Sequence, residues 1–204
     1  MTAAIPDTRA CRAATELARR VSEPCLFHHV MRTHAFGHAA AAAQGLRYDA
    51  ELFYLGAVLH DLGLTELAKG EQRFEVEGAD LAKELLAREG MRDADIDVVW
   101  DAIALHTTVG IPPRKRPEIA LVQLGAGIDV GVVSTDAVAA ALPEILEAWP
   151  RLALKTQLPR YVLALHDRAP RARTSPVVAD IAERHRGVRP PNLCDLIERA
   201  RFAE

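Results

Sequence analysis

Cysteine is scarce: the 204-residue chain has three, Cys11, Cys25 and Cys194, odd in number and far apart. That argues against a disulfide framework and against a cysteine-based zinc site, and makes a reducing cytoplasm the expected compartment. Aromatic residues are also few, at 5%. No apolar run approaches the roughly 18–20 residues needed to cross a bilayer. The start, "MTAAIPDTRACRAA", lacks a basic region followed by a long apolar stretch, so no secretory signal is visible. Nor is there an excess of positive charge. Lys and Arg total 25 against 28 Asp and Glu, for a net charge of −3. Neither nucleic acid nor a membrane surface is therefore an expected partner. A small-molecule substrate is, and association into a homo-oligomer stays open.

What the chain does have is alanine, leucine and a hydrophobic half. With little β-branched alternation, this composition predicts an all-α fold. Helical periodicity places helices at 8–21, 25–44, 50–62, 77–88, 93–106, 117–129, 135–147, 155–167, 176–184 and 191–202. Gly45, Gly63, Gly90 and Gly110 follow helical patterns as C-terminal glycines do, and Asp93 and Thr135 are candidate N-caps. The length suits one domain, residues 1–204, with a core near 25–135 and a helical extension near 150–204. Residues 64–76 form a polar connection long enough to line a site. The stretch 168–190 is rich in Arg and Pro. It reads either as a solvated segment before a last helix or as an arm that binds an anion or a partner.

Histidine is the most unevenly distributed residue. Four of the eight lie in "HHVMRTHAFGHA", residues 28–39. At helical spacing Cys25, Leu26, His29, Thr33, Phe36 and Ala40 share one stripe, which puts His29 on the apolar face. In "ELFYLGAVLHDLG" (51–63), Phe53, Gly56, Ala57 and His60 form a stripe and Tyr54, Val58 and Asp61 the next. In "DVVWDAIALH" (97–106), His106 shares a face with Val99, Ala102 and Ile103. In "EIALVQLGAGIDV" (118–130), Asp129 falls in line with Ile119, Val122 and Ala126. A lone inward histidine is ordinarily a satisfied core group. Two carboxylates and several imidazoles, each inward on a different helix, are another matter. A buried carboxylate stays ionised only when its charge is compensated. A divalent cation does this, and imidazole with carboxylate suits zinc, iron or manganese.

The order of a histidine, a later His–Asp doublet and a distant aspartate resembles the HD-domain superfamily of metal-dependent hydrolases. "HHVMRTHAFG", "LGAVLHDLGLT" and "GIDV" carry the resemblance over about residues 25–135. The doublet alone is weak, since His166–Asp167 repeats it without companions. Within the superfamily the chain is most similar to the cyanamide-hydratase-like group, through His29-x-x-Arg32-Thr33-x-x-Phe36-Gly37, "HDLGLT", "RFEVEGAD" (73–80) and "AIALHTTVGI" (102–111). An Asn commonly precedes the first metal histidine in that group; His28 stands there in this chain.

The resemblance implies an all-α HD-domain bundle with a metal site in its core. One divalent transition metal ion would be held by His29, His60, Asp61 and Asp129. Water activated by such an ion would add to a small nitrile such as cyanamide, giving urea. Asp61 would double as acceptor of the water's proton, and His106 would be the proton donor. His28, Glu77 and Thr107 would orient the substrate. His106 as a core histidine and Glu77 as a helix-start residue are the competing roles. His34 and His38 either support the ligands or lie at the surface, and Arg32 either pairs a buried carboxylate or is solvated. Two alternatives stand beside the hydratase. One is an HD phosphohydrolase acting on a nucleotide or other phosphate ester, clamped by Arg32, Lys69, Arg73, Arg114, Lys115 and Arg116. The other is a metal-stabilised regulatory or binding module without turnover.

Overall fold

In a computed structural model, residues 4–169 and 175–188 are described. Thr8 opens the first helix, its hydroxyl accepting the Cys11 N–H at 3.1 Å and so pairing an otherwise free amide. Helix α1 spans Arg9–Val21 and α2 spans Pro24–Gln44. Pro24 sits where a helix needs no N–H, and Gly45 ends α2 in the left-handed region at φ 62°. Asp49 caps α3 (Ala50–Leu59) by accepting the Glu51 and Leu52 amides. There follow α4 (Phe74–Arg88), α5 (Asp93–Ala104), α6 (Pro117–Val130), α7 (Leu142–Ala148), α8 (Leu154–Arg168) and α9 (Pro176–Arg186). The fold is all-α, with no strand among the described residues, and none of their helices is long and apolar enough to cross a membrane.

Local departures from expectation have local causes. The helix expected at 50–62 stops at Leu59, and a 3-10 turn covers Leu62–Leu64. The helix expected at 135–147 is split into a 3-10 turn, Asp136–Val138, and α7. Pro143 explains the break: it has no N–H to offer a preceding carbonyl and its ring clashes there. Asp93 lies inside α5, with Arg92 at the cap position, and Thr135 makes no side-chain cap bond. Helix α4 begins three residues before Glu77, at Phe74. The helix expected at 191–202 lies outside the described residues, as do 170–174 and 189–190 of the Arg/Pro-rich stretch.

Helix α3 is the hub: every residue from Leu52 to Leu59 is buried, enclosed by α1, α2, α5 and α6. Two glycines set how closely its neighbours approach. A Cβ on Gly125 of α6 would lie 2.1 Å from the Thr33 carbonyl oxygen of α2, and one on Gly63 would lie 1.9 Å from that of Phe74. The first bare backbone brings α6 against α2. The second brings the turn after His60–Asp61 against the start of α4. A second apolar cluster, including Leu26, Leu64, Phe74, Val162, Leu165 and Val178, seats the α8–α9 pair beside that junction.

Candidate metal centre

The juncture of α2 with the end of α3 gathers three potential ligand atoms. His29 Nε2 is 3.3 Å from His60 Nε2 and 3.4 Å from Asp61 Oδ2, and His60 Nε2 is 3.3 Å from that same oxygen. All three side chains are buried. The tautomers follow from the outer partners. His60 Nδ1 lies 2.8 Å from the Ala57 carbonyl, which can only accept, so this nitrogen carries the proton. His29 Nδ1 lies 2.6 Å from Asp129 Oδ2 and donates to it. With both rings neutral, as metal ligands must be, the two Nε2 atoms are lone pairs facing each other and a carboxylate oxygen. Three acceptors in van der Waals proximity cannot satisfy one another, whereas a cation among them satisfies all three. Donors about 2.1 Å from a common centre at tetrahedral angles are about 3.4 Å apart, close to the separations observed. The residues therefore fit a divalent metal ion.

Electrostatics keep Asp61 ionised and set it against His60, whose Nε2 proton a metal ion would replace. Burial works against charge on Asp61, but His60, then His29 and His106, hold its carboxyl well below the ordinary range. Burial likewise opposes a charged His60, and the charge and hydrogen bond of Asp61 outweigh it, raising His60 above its usual value.

Asp129, expected as the fourth ligand, directs its carboxylate at His29 Nδ1, 2.6 Å away, and at two arginines. Its oxygens are taken: Arg32 donates from Nε to Oδ1 and from Nη2 to Oδ2, each at 2.8 Å, and Arg151 Nη1 donates to Oδ1 at 2.8 Å. The cause is sequence-local. Arg32 follows His29 by one helical turn, so its planar fork reaches the carboxylate that His29 also contacts. Burial opposes the Asp129 charge, yet the bonds from His29 and Arg32 prevail and pull the carboxyl down to about 2. Arg32 is fully buried, and its Nη1 donates to the Trp149 and Pro150 carbonyls at 3.0 and 2.9 Å. It is the buried partner of a carboxylate, not a solvated cation.

Beside the triad opens a cavity of about 290 Å³, lined by His29, His60, Asp61, His106, Thr107 and Gln123 together with apolar side chains. His106 donates from Nδ1 to the Ile103 carbonyl at 2.6 Å and turns Nε2 toward Asp61 Oδ1, 3.7 Å away. Thr107 lines the same cavity while donating its hydroxyl to Glu75 at 2.6 Å.

Two expected substrate contacts are elsewhere. His28 packs edge-on against Trp149, with Nδ1 2.9 Å from the Pro150 carbonyl, because on α2 it lies about 100° from His29. Glu77 accepts the backbone amides of Gly70, Glu71 and Gln72 and so pins that loop. The inward glutamate of "RFEVEGAD" is Glu75, fully buried, which accepts from Thr107, Arg73 and Ser175. Two positions apart on a helix, Glu75 and Glu77 point about 200° apart, so only one of them can face inward. Gln123 was also missed. It shares a face of α6 with Ala126, Gly127 and Val130 at helical spacing, and all four line the cavity. His34 packs tilted against Phe53 and edge-on against Tyr54, and His38 Nδ1 is 2.7 Å from the Tyr48 hydroxyl, so neither touches the triad. Of the cations expected to clamp a phosphate, Arg73, Lys115 and Arg116 pair with Glu75, Asp101 and Glu118. No Arg or Lys among the described residues lines the cavity.

No curated protein matches the chain. A family model of the HD domain matches residues 26–130, which contain His29, His60, Asp61, His106 and Asp129. HD domains are generally metal-dependent hydrolases, in keeping with the donor set assembled here. With more than half of its length matched, the chain belongs to the HD domain family.

Proposed function

We propose that this HD domain hydrates a small uncharged nitrile, as the cyanamide-hydratase-like group does, acting as a single domain on a small-molecule partner. The observation that carries this reading is the cavity wall: the triad opens onto a chamber with no cationic side chain among the described residues. A phosphate ester brings more negative charge than a single ion in such a wall would compensate.

His29, His60 and Asp61 would hold the ion, with Asp129 fixing His29 through its outer nitrogen. When bound, the ion supplies hydroxide from water near neutral pH. The remaining steps belong to the chain. His106 keeps its Nδ1 proton on Ile103, so Nε2 is a lone pair at rest. It accepts the proton of the attacking water, sharing that task with Asp61, and returns it to the nitrile nitrogen. A carbon–oxygen bond forms, one carbon–nitrogen π bond breaks, and no group leaves. Tautomerisation then yields an amide, or urea from cyanamide. Thr107 and Gln123 stand where they would orient the substrate's nitrogen.

The test is metal analysis of the purified full chain, followed by assay against cyanamide, simple nitriles and a nucleotide panel. Urea or amide formation that disappears on metal removal is the expected result. Phosphate released from a nucleotide, with no amide from any nitrile, would replace the reading with a phosphohydrolase. One equivalent of metal without turnover would make the protein a metal-stabilised module.

A further inference from the structure

The cavity is larger and more apolar than the chemistry at its end requires. A three-heavy-atom substrate displaces about as much space as three waters, roughly 90 Å³ at ~30 Å³ each. The cavity holds about 290 Å³. Eleven of its seventeen lining residues have no polar side chain. Leu64 and Phe74 come from the turn after α3 and from α4, and Leu158, Val162, Val177 and Ile181 come from α8 and α9. At the mouth Val109 and Val132 are 84% and 75% exposed, so the way in is apolar as well. Water left against such walls beside a tiny polar substrate gains nothing, and replacing it with hydrocarbon is favourable.

We infer that the substrate carries an apolar group of about five to seven carbons, an alkyl chain or an aromatic ring, seated against the wall that Leu64, Phe74, Leu158, Val162, Val177 and Ile181 form together. The size estimate follows from the space left beyond the reacting atoms, about 200 Å³ at ~30 Å³ per heavy atom. The inference rests on the nitrile reading for the reacting group, but not for the apolar part. The chamber is the site's specificity element: the metal triad fixes the functional group and the α8–α9 pair fixes what is attached to it. Pockets of this make-up, mostly apolar with a few convergent polar groups, are the usual form of small-molecule sites.

The experiment uses the metal-loaded full chain with acetonitrile, butyronitrile, hexanenitrile, benzonitrile and cyanamide. Binding of methanol, 1-butanol and 1-hexanol, which lack the nitrile, is measured in parallel by ligand-observed NMR. Both kcat/KM and alcohol affinity should rise about fourfold per methylene, the equivalent of a buried CH₂. The variants Leu158→Trp and Ile181→Ser, one filling the chamber and one making its wall polar, should flatten both slopes. Their melting curves confirm that they fold. If no nitrile is hydrated yet the alcohols show the slope, the nitrile reading falls and the apolar chamber stands. If cyanamide and acetonitrile turn over as well as hexanenitrile, the chamber's role is refuted while hydration stands. A flat alcohol series with flat turnover likewise overturns the inference.

Discussion

Replacing Asp129 by Asn separates a metal ligand from a residue that holds one. The wild-type carboxylate receives His29 Nδ1–H, two donors of Arg32 and one of Arg151. Asparagine keeps the shape but removes the charge, and turns an NH₂ toward one of those donors. Arg32 is fully buried, so its charge loses its counter-ion, and breaking a buried pair from one side costs about 3–5 kcal/mol. The effect on metal should be smaller, because His29 keeps Nε2 and loses only the partner that orients it. Changes of that kind weaken metal binding about 10–100-fold, or about 1.4–2.7 kcal/mol. The comparison variant is Asp61→Asn, which removes a member of the triad outright. Metal affinity would be read by chelator competition and stability by urea unfolding of the metal-free protein. If Asp129→Asn loses metal as completely as Asp61→Asn, the carboxylate is itself a ligand and the layered arrangement is wrong. An unfolding free energy within about 0.5 kcal/mol of wild type would deny the buried ion pair.

His106→Ala should retain a full equivalent of metal while turnover falls by about 10²–10⁴, the usual worth of a positioned acid–base group; unchanged turnover would return His106 to the core. His34 supplies a pH prediction. Burial, with His38 adding like charge, lowers it to about 3. Its contribution is therefore complete above the unfolded value of about 6.5 and is lost as pH falls toward the folded one, at about 1.4 kcal/mol per unit. Between pH 7 and 5 the wild type should lose about 2 kcal/mol more in urea unfolding than His34→Leu, and equal losses would refute this. Glu75→Ala strips Thr107 and Ser175 of their acceptor. It should cost about 2–4 kcal/mol and speed hydrogen exchange in the first turns of α9; unaltered exchange there would count against Glu75 as the tie between α4 and α9.

What the sequence determined is what helical periodicity fixes. His29 and Asp129 had to be inward, because each falls in line with residues that can only be core. His60 and Asp61 had to sit together at the end of a helix apolar almost all round. The all-α class followed from alanine, leucine and the near absence of alternating β-branched residues. What tertiary structure decided depends on long-range approach. That Asp129 reaches His29 and Arg32 at all depends on how closely Gly125 lets α6 approach α2, a backbone contact between residues some ninety positions apart. Whether Glu75 or Glu77 faces inward turns on which side of α4 packs against the turn at bare Gly63. The apolar wall from α8 and α9 lies outside the matched segment 26–130 and reaches the site only by folding back over it. A one-dimensional period reports the face of a helix. It carries no information on which distant face comes to rest against it.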